Sequence, residues 1–350
     1  MNSMNSTKPT NSRPPTILVA GAKGQLGSDI VNVLKSDCHT IPVDIDDFDI
    51  TDLEATVGFI KKAKPNAIIH PAAFTDVDGC ESQQDKAFAI NGLGTRNLAI
   101  AARDVDAKLF YISTDYVFDG TKSEPYREYD PPNPQTVYGQ SKLMGEEFTR
   151  EQLSRFFIIR IAWLYGQHGN NFLKTMLKLA QEKQEIAVVN DQHGSPTWTV
   201  DIARQIKQLL PTEAYGTYHC TSQGSCTWYE FALEIFRSAG YEAESNQNGV
   251  VHLIPNPESL IPSLRTKNQE LGTKNQEPTP QSLTPIIVRP VTTEQFPRPA
   301  KRPQNSILEN YMLKLQGLDV MPHWKESLYK FMKAMNRQQS AASSQKAMDR

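Results

Sequence analysis

TILVAGAKGQLGSDIVNVL, residues 16–34, decides the fold. TILVA is a short apolar run, β-branched at its start, and it ends in glycine. The glycines Gly21, Gly24 and Gly27 then recur as G-x-x-G-x-x-G. Ile30, Val31, Val33 and Leu34 follow at spacings that suit one helix face. The order is strand, glycine turn, helix. Such a turn lets backbone N–H groups approach a pyrophosphate, and the helix N-terminus favours its negative charge. Turns need glycine for other reasons too, but the position between a first strand and a helix is the context that makes this a nucleotide-binding signal.

Working outward, HTIPVDID (39–46), NAIIH (66–70), AKLFYIST (107–114) and RFFIIRIAWLYG (155–166) read as strands. LEATVGFIKKAKP, KAFAINGLGTRNLAIAARDV and YGQSKLMGEEFTREQL read as the helices between them, the second weakened by two glycines. Regular alternation of strand and helix predicts an α/β fold, a Rossmann-type doubly wound parallel sheet over residues 16–165. Residues 166–335 are less regular. NFLKTMLKLAQEK, VDIARQIKQLL and CTWYEFALEIFRSAG look helical, and this part reads mainly as a smaller, substrate-binding lobe. Residues 245–285 break the pattern. They contain TKNQE twice, from Thr266 and from Thr273, and read as a low-complexity, disordered insertion. Residues 1–15 read as a disordered leader and 336–350 as a fraying, disordered tail.

Composition excludes several classes. The 350 residues carry 37 basic and 39 acidic side chains, a formal net charge of −2, which gives no reason to expect nucleic acid or an anionic membrane as partner. No run of ~18 apolar residues occurs, so no membrane span is expected. The amino-terminal stretch lacks the apolar core of a signal peptide. Cys38, Cys80, Cys220 and Cys226 are scattered, as reduced thiols in a cytoplasmic protein would be. His219-Cys220 with Cys226 fits no structural-zinc spacing.

Asp44 ends the second strand, where an acid can accept hydrogen bonds from a ribose hydroxyl. Asp46, Asp47 and Asp49 crowd that assignment, and Lys23 in the glycine loop could meet a phosphate, so NADH and NADPH both stay open. Ser113-Thr114-Asp115 closes the fourth strand at the carboxyl edge, where open α/β sheets bind ligands. Tyr138 and Lys142 lie four residues apart and share a helix face. A free phenol is a poor acid–base group at neutral pH, and a nearby ammonium lowers its pKa. With a Thr114 hydroxyl on a substrate carbonyl, these groups suit hydride transfer from a nicotinamide, with Tyr138 giving the proton. Tyr-x-x-x-Lys alone more often marks an exposed helix face.

GAKGQLG, STDYVFDG and YGQSKLMGE together resemble the extended short-chain dehydrogenases/reductases. DITD, AAFTDVDGCE, GNNFLKTMLKLA, VVNDQHGSPT, GTYHC and RPQNS, in that order, bring the chain closer still to the dTDP-4-dehydrorhamnose reductase family. The resemblance covers roughly residues 16–240 and 286–330. It implies NAD(P)H-dependent reduction of the C4 ketone of dTDP-4-dehydro-L-rhamnose to dTDP-L-rhamnose. It makes Tyr138, Lys142 and Thr114 the catalytic set. Gly24, Gln25 and Leu26 become the phosphate loop and Asp44 the ribose acid. Asp49 and Ile50 become the adenine-side pair, and Ala73, Phe74 and Thr75 a further cofactor wall. Asp115 and Trp163 become substrate contacts, and the segment around Arg302 and Asn305 a contact for the nucleotide diphosphate. His70-Pro71 departs from the family's usual Asn-Ala. Some relatives pair through magnesium, and Asp29 is where one such acid could lie, so Mg is a further candidate and the chain is read as a monomer or homodimer. The rival readings are a nucleotide-sugar epimerase or dehydratase, and a non-catalytic dinucleotide-binding regulatory subunit.

Overall fold

The computed structural model describes residues 13–245, 250–256, 259–261, 264 and 285–348. Five strands and their helices follow the predicted order: β1 (Thr16–Ala20), β2 (His39–Val43), β3 (Ala67–His70), β4 (Lys108–Thr114) and β5 (Phe156–Ile161), with α1 (Gln25–Leu34) after β1 and α2 (Leu53–Ala63) after β2. They form a parallel sheet ordered Gly216–His219, β5, β4, β3, β1, β2. Both faces are covered, so the strands read as continuous apolar runs. Alternation still sorts their side chains. Ile17 and Val19 join the core beneath α1, whereas Leu18 and Ala20 join the core on the opposite face. Strand order reverses between β1 and β3, which opens a crevice at the carboxyl ends of the strands.

The boundary expected at residue 165 is crossed twice. Helix Thr199–Leu209 packs its Ile202, Ala203 and Ile206 into the same core as Ile30 and Leu34. Strand Gly216–His219 then extends the main sheet beyond β5. Both are too remote in sequence for alternation alone to assign them to the first unit, and the strand has only four residues.

The second lobe has a four-stranded sheet, in the order Tyr241–Ser245, Val251–Pro255, Ile286–Val291, Glu185–Val189. The limits of the expected insertion therefore need correction. Val251, Leu253 and Pro255 face inward while His252 and Ile254 face out, and Leu260, Ile261 and Leu264 are buried in the lobe core. Five alternating residues between polar runs give a weak strand signal. The TKNQE repeat lies outside the described residues, as do residues 1–12. The expected fraying from 336 also differs from the structure, where a helix runs Trp324–Met348. Trp324, Leu328, Phe331, Met332 and Met335 bury one helix face in the lobe core. The sequence beyond them is rich in Ala and Gln and holds no Gly or Pro, so nothing local ends the helix.

Candidate active site

A cavity of about 840 Å³ opens at the carboxyl ends of the strands. Most of the predicted set lines it: Gly21, Gly24, Gln25 and Leu26 from the glycine turn, Asp44, Asp49 and Ile50 after β2, Ala73 and Thr75 after β3, Thr114 and Asp115 after β4, Tyr138 and Lys142, and Trp163 after β5. Residues scattered over nearly 150 positions converge because every strand ends at the same edge.

The glycine turn is built for close approach. Gly21 has φ +91°, a left-handed value that glycine tolerates, and a Cβ there would lie 2.7 Å from the Ala72 nitrogen. Gly27 lies inside the first turn of α1, buried, and outside the lining of this cavity; a Cβ there would overlap the Gly21 carbonyl oxygen. It packs the start of the helix closely against the turn. Gly24 caps α1 without a side-chain hydrogen bond. No capping side chain covers the first amides of that helix, and Gly24, Gln25 and Leu26 line the cavity, which suits a pyrophosphate. Asp44 accepts from the backbone N–H of Lys23 and of Ile45, each at 2.9 Å, which ties the end of β2 to the glycine loop. The Lys23 ammonium pairs with Asp46 at the exposed rim.

Thr136 starts helix Val137–Gln152 by accepting from Gly139 N–H at 3.1 Å. Its inner face carries Ser141, Lys142, Gly145, Glu146 and Thr149, all buried. Tyr138 packs edge-on against Tyr116, ring centroids 5.5 Å apart. Burial, then the charge of Asp115, push the Tyr138 phenol above its ordinary value. Desolvation dominates, and the lowering expected from a nearby ammonium is not found. The phenol is protonated at neutral pH, the form a proton donor needs. Burial pulls Lys142 down to about 7, against the opposing charge of Glu146. Thr114 donates to Asp115 Oδ1 at 2.8 Å and accepts from Tyr116 N–H at 3.2 Å. Burial raises Asp115 to about 6 in spite of its bonds from Ser306 and Thr114.

Trp163 is a strained residue, at φ +50°. Its indole stacks on Trp228, ring centroids 3.5 Å apart and planes 8° apart, so the second lobe holds it in a conformation a bulky side chain rarely adopts. Phe74 lies beside the cavity rather than in its lining. Its backbone N–H donates to Asn91 Oδ1 at 2.8 Å and its carbonyl accepts from Asn91 Nδ2 at 3.1 Å. Asn91 sits in the π-helical turn Phe88–Gly94 and also donates to Ser141 at 3.0 Å.

Two predicted contacts are not brought to the cavity. Asn305 donates to the carbonyls of Lys122 and Glu124 at 2.7 and 3.0 Å and accepts from Ile307 N–H at 2.9 Å; it clamps loops. Arg302 pairs with Asp78 at 2.9 Å, although its charge still bears on Tyr116, a lining residue. Asp29 faces inward and accepts from Thr199, and it is buried, so it presents no surface acid. Among the described residues no group of three or more His, Cys, Asp or Glu converges to hold a metal ion. His219 packs its Nδ1 against the carbonyls of Tyr126 and Glu309, each at 3.1 Å. The departure His70-Pro71 places a fully buried imidazole with Nε2 3.1 Å from Thr95 Oγ1, while Pro71 lines the cavity.

The sequence reading missed Tyr111, Glu146 and Arg160. Glu146 takes two hydrogen bonds from Arg160, both 2.8 Å, one from Arg150 at 2.8 Å and one from Ser113 at 2.7 Å. A lone arginine inside the apolar run RFFIIRI was the available signal, since a buried guanidinium requires a partner.

A family model described as RmlD substrate binding domain matches residues 15–337. A dTDP-4-dehydrorhamnose reductase of Streptomyces griseus is 35% identical over 321 residues, 90% of this chain and 92% of that protein. The chain belongs to the dTDP-4-dehydrorhamnose reductase family. The crystal structure of such a reductase from Clostridium acetobutylicum superposes with a TM-score of 0.77 at 43% identity, over 91% of this chain and 99% of that one. One from Bacillus anthracis, in complex with NADP, gives 0.78 at 38% identity, over 92% and 100%. Among the described residues of this reductase, no helix is long and apolar enough to cross a membrane.

Proposed function

We propose that the protein reduces the C4 ketone of dTDP-4-dehydro-L-rhamnose with NADPH or NADH, giving dTDP-L-rhamnose, with Tyr138 as proton donor. The observation that carries this is the meeting of Thr114, Tyr138 and Lys142 with the glycine turn in one cavity. The Bacillus anthracis relative solved with NADP supports the same cofactor class.

A bound nicotinamide dinucleotide supplies the hydride. The first turn of α1 and Gly24 would hold its phosphates, and Asp44 with Asp49 and Ile50 would hold the adenosine side. Lys142 donates to a ribose hydroxyl and stands ready to stabilise the phenolate that Tyr138 leaves after protonating the C4 oxygen. Thr114 turns its hydroxyl from Asp115 to the same oxygen. Trp163 offers an aromatic wall to the sugar. Arg302, released from Asp78, is suited to the substrate diphosphate. The reading places the enzyme in the cytoplasm, as a monomer or a homodimer, which light scattering on the purified protein distinguishes.

The test uses NADPH carrying deuterium at nicotinamide C4. The expected product bears deuterium at C4 of the sugar, by mass spectrometry. An epimerase or dehydratase would return the cofactor and leave no net label. A second prediction concerns the turn. Gly27→Ala forces a methyl group into the Gly21 carbonyl, an overpacking cost of ~1–3 kcal/mol. Fluorescence titration should show dinucleotide binding weakened about tenfold; unchanged binding would mean that the turn does not contact the phosphates.

A further inference from the structure

Lys142 is an ammonium with almost no access to water, 2% exposed. Something must offset its desolvation, or it loses its charge. Around it, Glu146 lies one helical turn on and its charge favours the ammonium, but that carboxylate is shared with Arg160 from β5, with Arg150 and with Ser113. His70, from β3, is kept neutral by burial and by the charge of Lys142 itself, at about 3. Tyr138 is one turn back, with Asp115 beyond it. The π-helical turn adds the uncharged Asn91, and the helix that follows it the uncharged Thr95. The remaining neighbour is Tyr111 of β4. Its ring centroid is 4.2 Å from Lys142 Nζ, and its hydroxyl donates to the Lys142 carbonyl at 3.1 Å. The side chain is fully buried. Gly145 makes room for it, since a Cβ there would overlap the Tyr111 hydroxyl.

We propose that Tyr111 is a positioning residue for Lys142: its ring face keeps the buried ammonium charged, and its hydroxyl anchors the helical turn that carries it. The first half is a cation–π contact in a desolvated site, where such contacts are strongest. Without it, the burial that pulls Lys142 down is opposed by the charge of Glu146 alone, and the ammonium gives up its proton at lower pH. Charged Lys142 is present below its pKa, so the ammonium that can stabilise a phenolate is then confined to lower pH. The functional weight of this inference rests on the reductase reading; the contact itself does not.

The test is a graded series at one position, followed by NMR of 13Cε-labelled lysine without cofactor, with Lys142→Arg used to assign the signal. Tyr111→Phe keeps the ring and should leave the Lys142 midpoint where it is, while lowering Tm through loss of the hydroxyl anchor. Phenylalanine carrying three ring fluorines, incorporated at position 111, keeps shape and drains the ring face of negative charge. The midpoint should then fall by roughly half a pH unit or more, with circular dichroism unchanged. In the oxidation assay the alkaline limb should move down by the same amount. An identical midpoint with the fluorinated ring overturns the cation–π half, and an unchanged Tm for Tyr111→Phe overturns the anchor. A falling midpoint in a protein that fails to oxidise NAD(P)H would sink the reductase reading and leave this one standing.

Discussion

Tyr138→Phe is expected to lower kcat by about a hundredfold to ten-thousandfold, the usual range for one positioned acid, while dinucleotide binding survives. The ring stays, so its packing against Tyr116 stays. What is lost is the one proton that burial and the charge of Asp115 hold on the phenol. Because the loss falls on the transition state, kcat and kcat/KM should drop together. The check is steady-state kinetics beside a direct titration of NADPH. A variant that keeps more than about a tenth of the activity would remove Tyr138 from the proton transfer, since it would lie below the general-acid range.

Glu146→Ala is the second large effect, and it concerns stability. Glu146 and Arg160 are both buried, at 0% and 2% side-chain exposure. Burial alone would raise the Glu146 carboxyl. The charge and hydrogen bonds of Arg160, with help from Arg150, outweigh this and hold it at about 2. Removing the acid leaves a guanidinium buried without its carboxylate, which costs about 3–5 kcal/mol. Urea denaturation measures it, and a change below about 1 kcal/mol, the level of an exposed pair, would contradict the account. Glu146→Gln should cost less, because Gln still accepts from Ser113. The sign of the pH dependence follows. A carboxyl depressed from its ordinary 4.5 to about 2 adds stability that is fully present above pH ~4.5 and lost as pH falls toward 2. Across that window the gap between the protein and Glu146→Gln should narrow.

What was legible in the sequence was local. Apolar runs, the glycine turn and the Tyr138–Lys142 spacing each follow from neighbours in the chain, and the parallel sheet follows from their alternation. Convergence on the cavity was legible only by rule, because every parallel strand ends at one edge. The rest depends on partners far apart. Tyr111 and Lys142 are 31 residues apart, and only the pleat of β4 turns that ring beneath the helix. Asn305 reads as a ligand residue beside Arg302, yet three backbone groups use up its amide. The strand Val251–Pro255 hides among polar residues because only three of its side chains face the core.

The measurement that bears most directly on the central claim is nicotinamide absorbance with dTDP-4-dehydro-L-rhamnose, NADPH and NADH being supplied separately. The account predicts oxidation of one dinucleotide per sugar, faster with one of the two, and dTDP-L-rhamnose as product. Tight dinucleotide binding with no oxidation of either would contradict it.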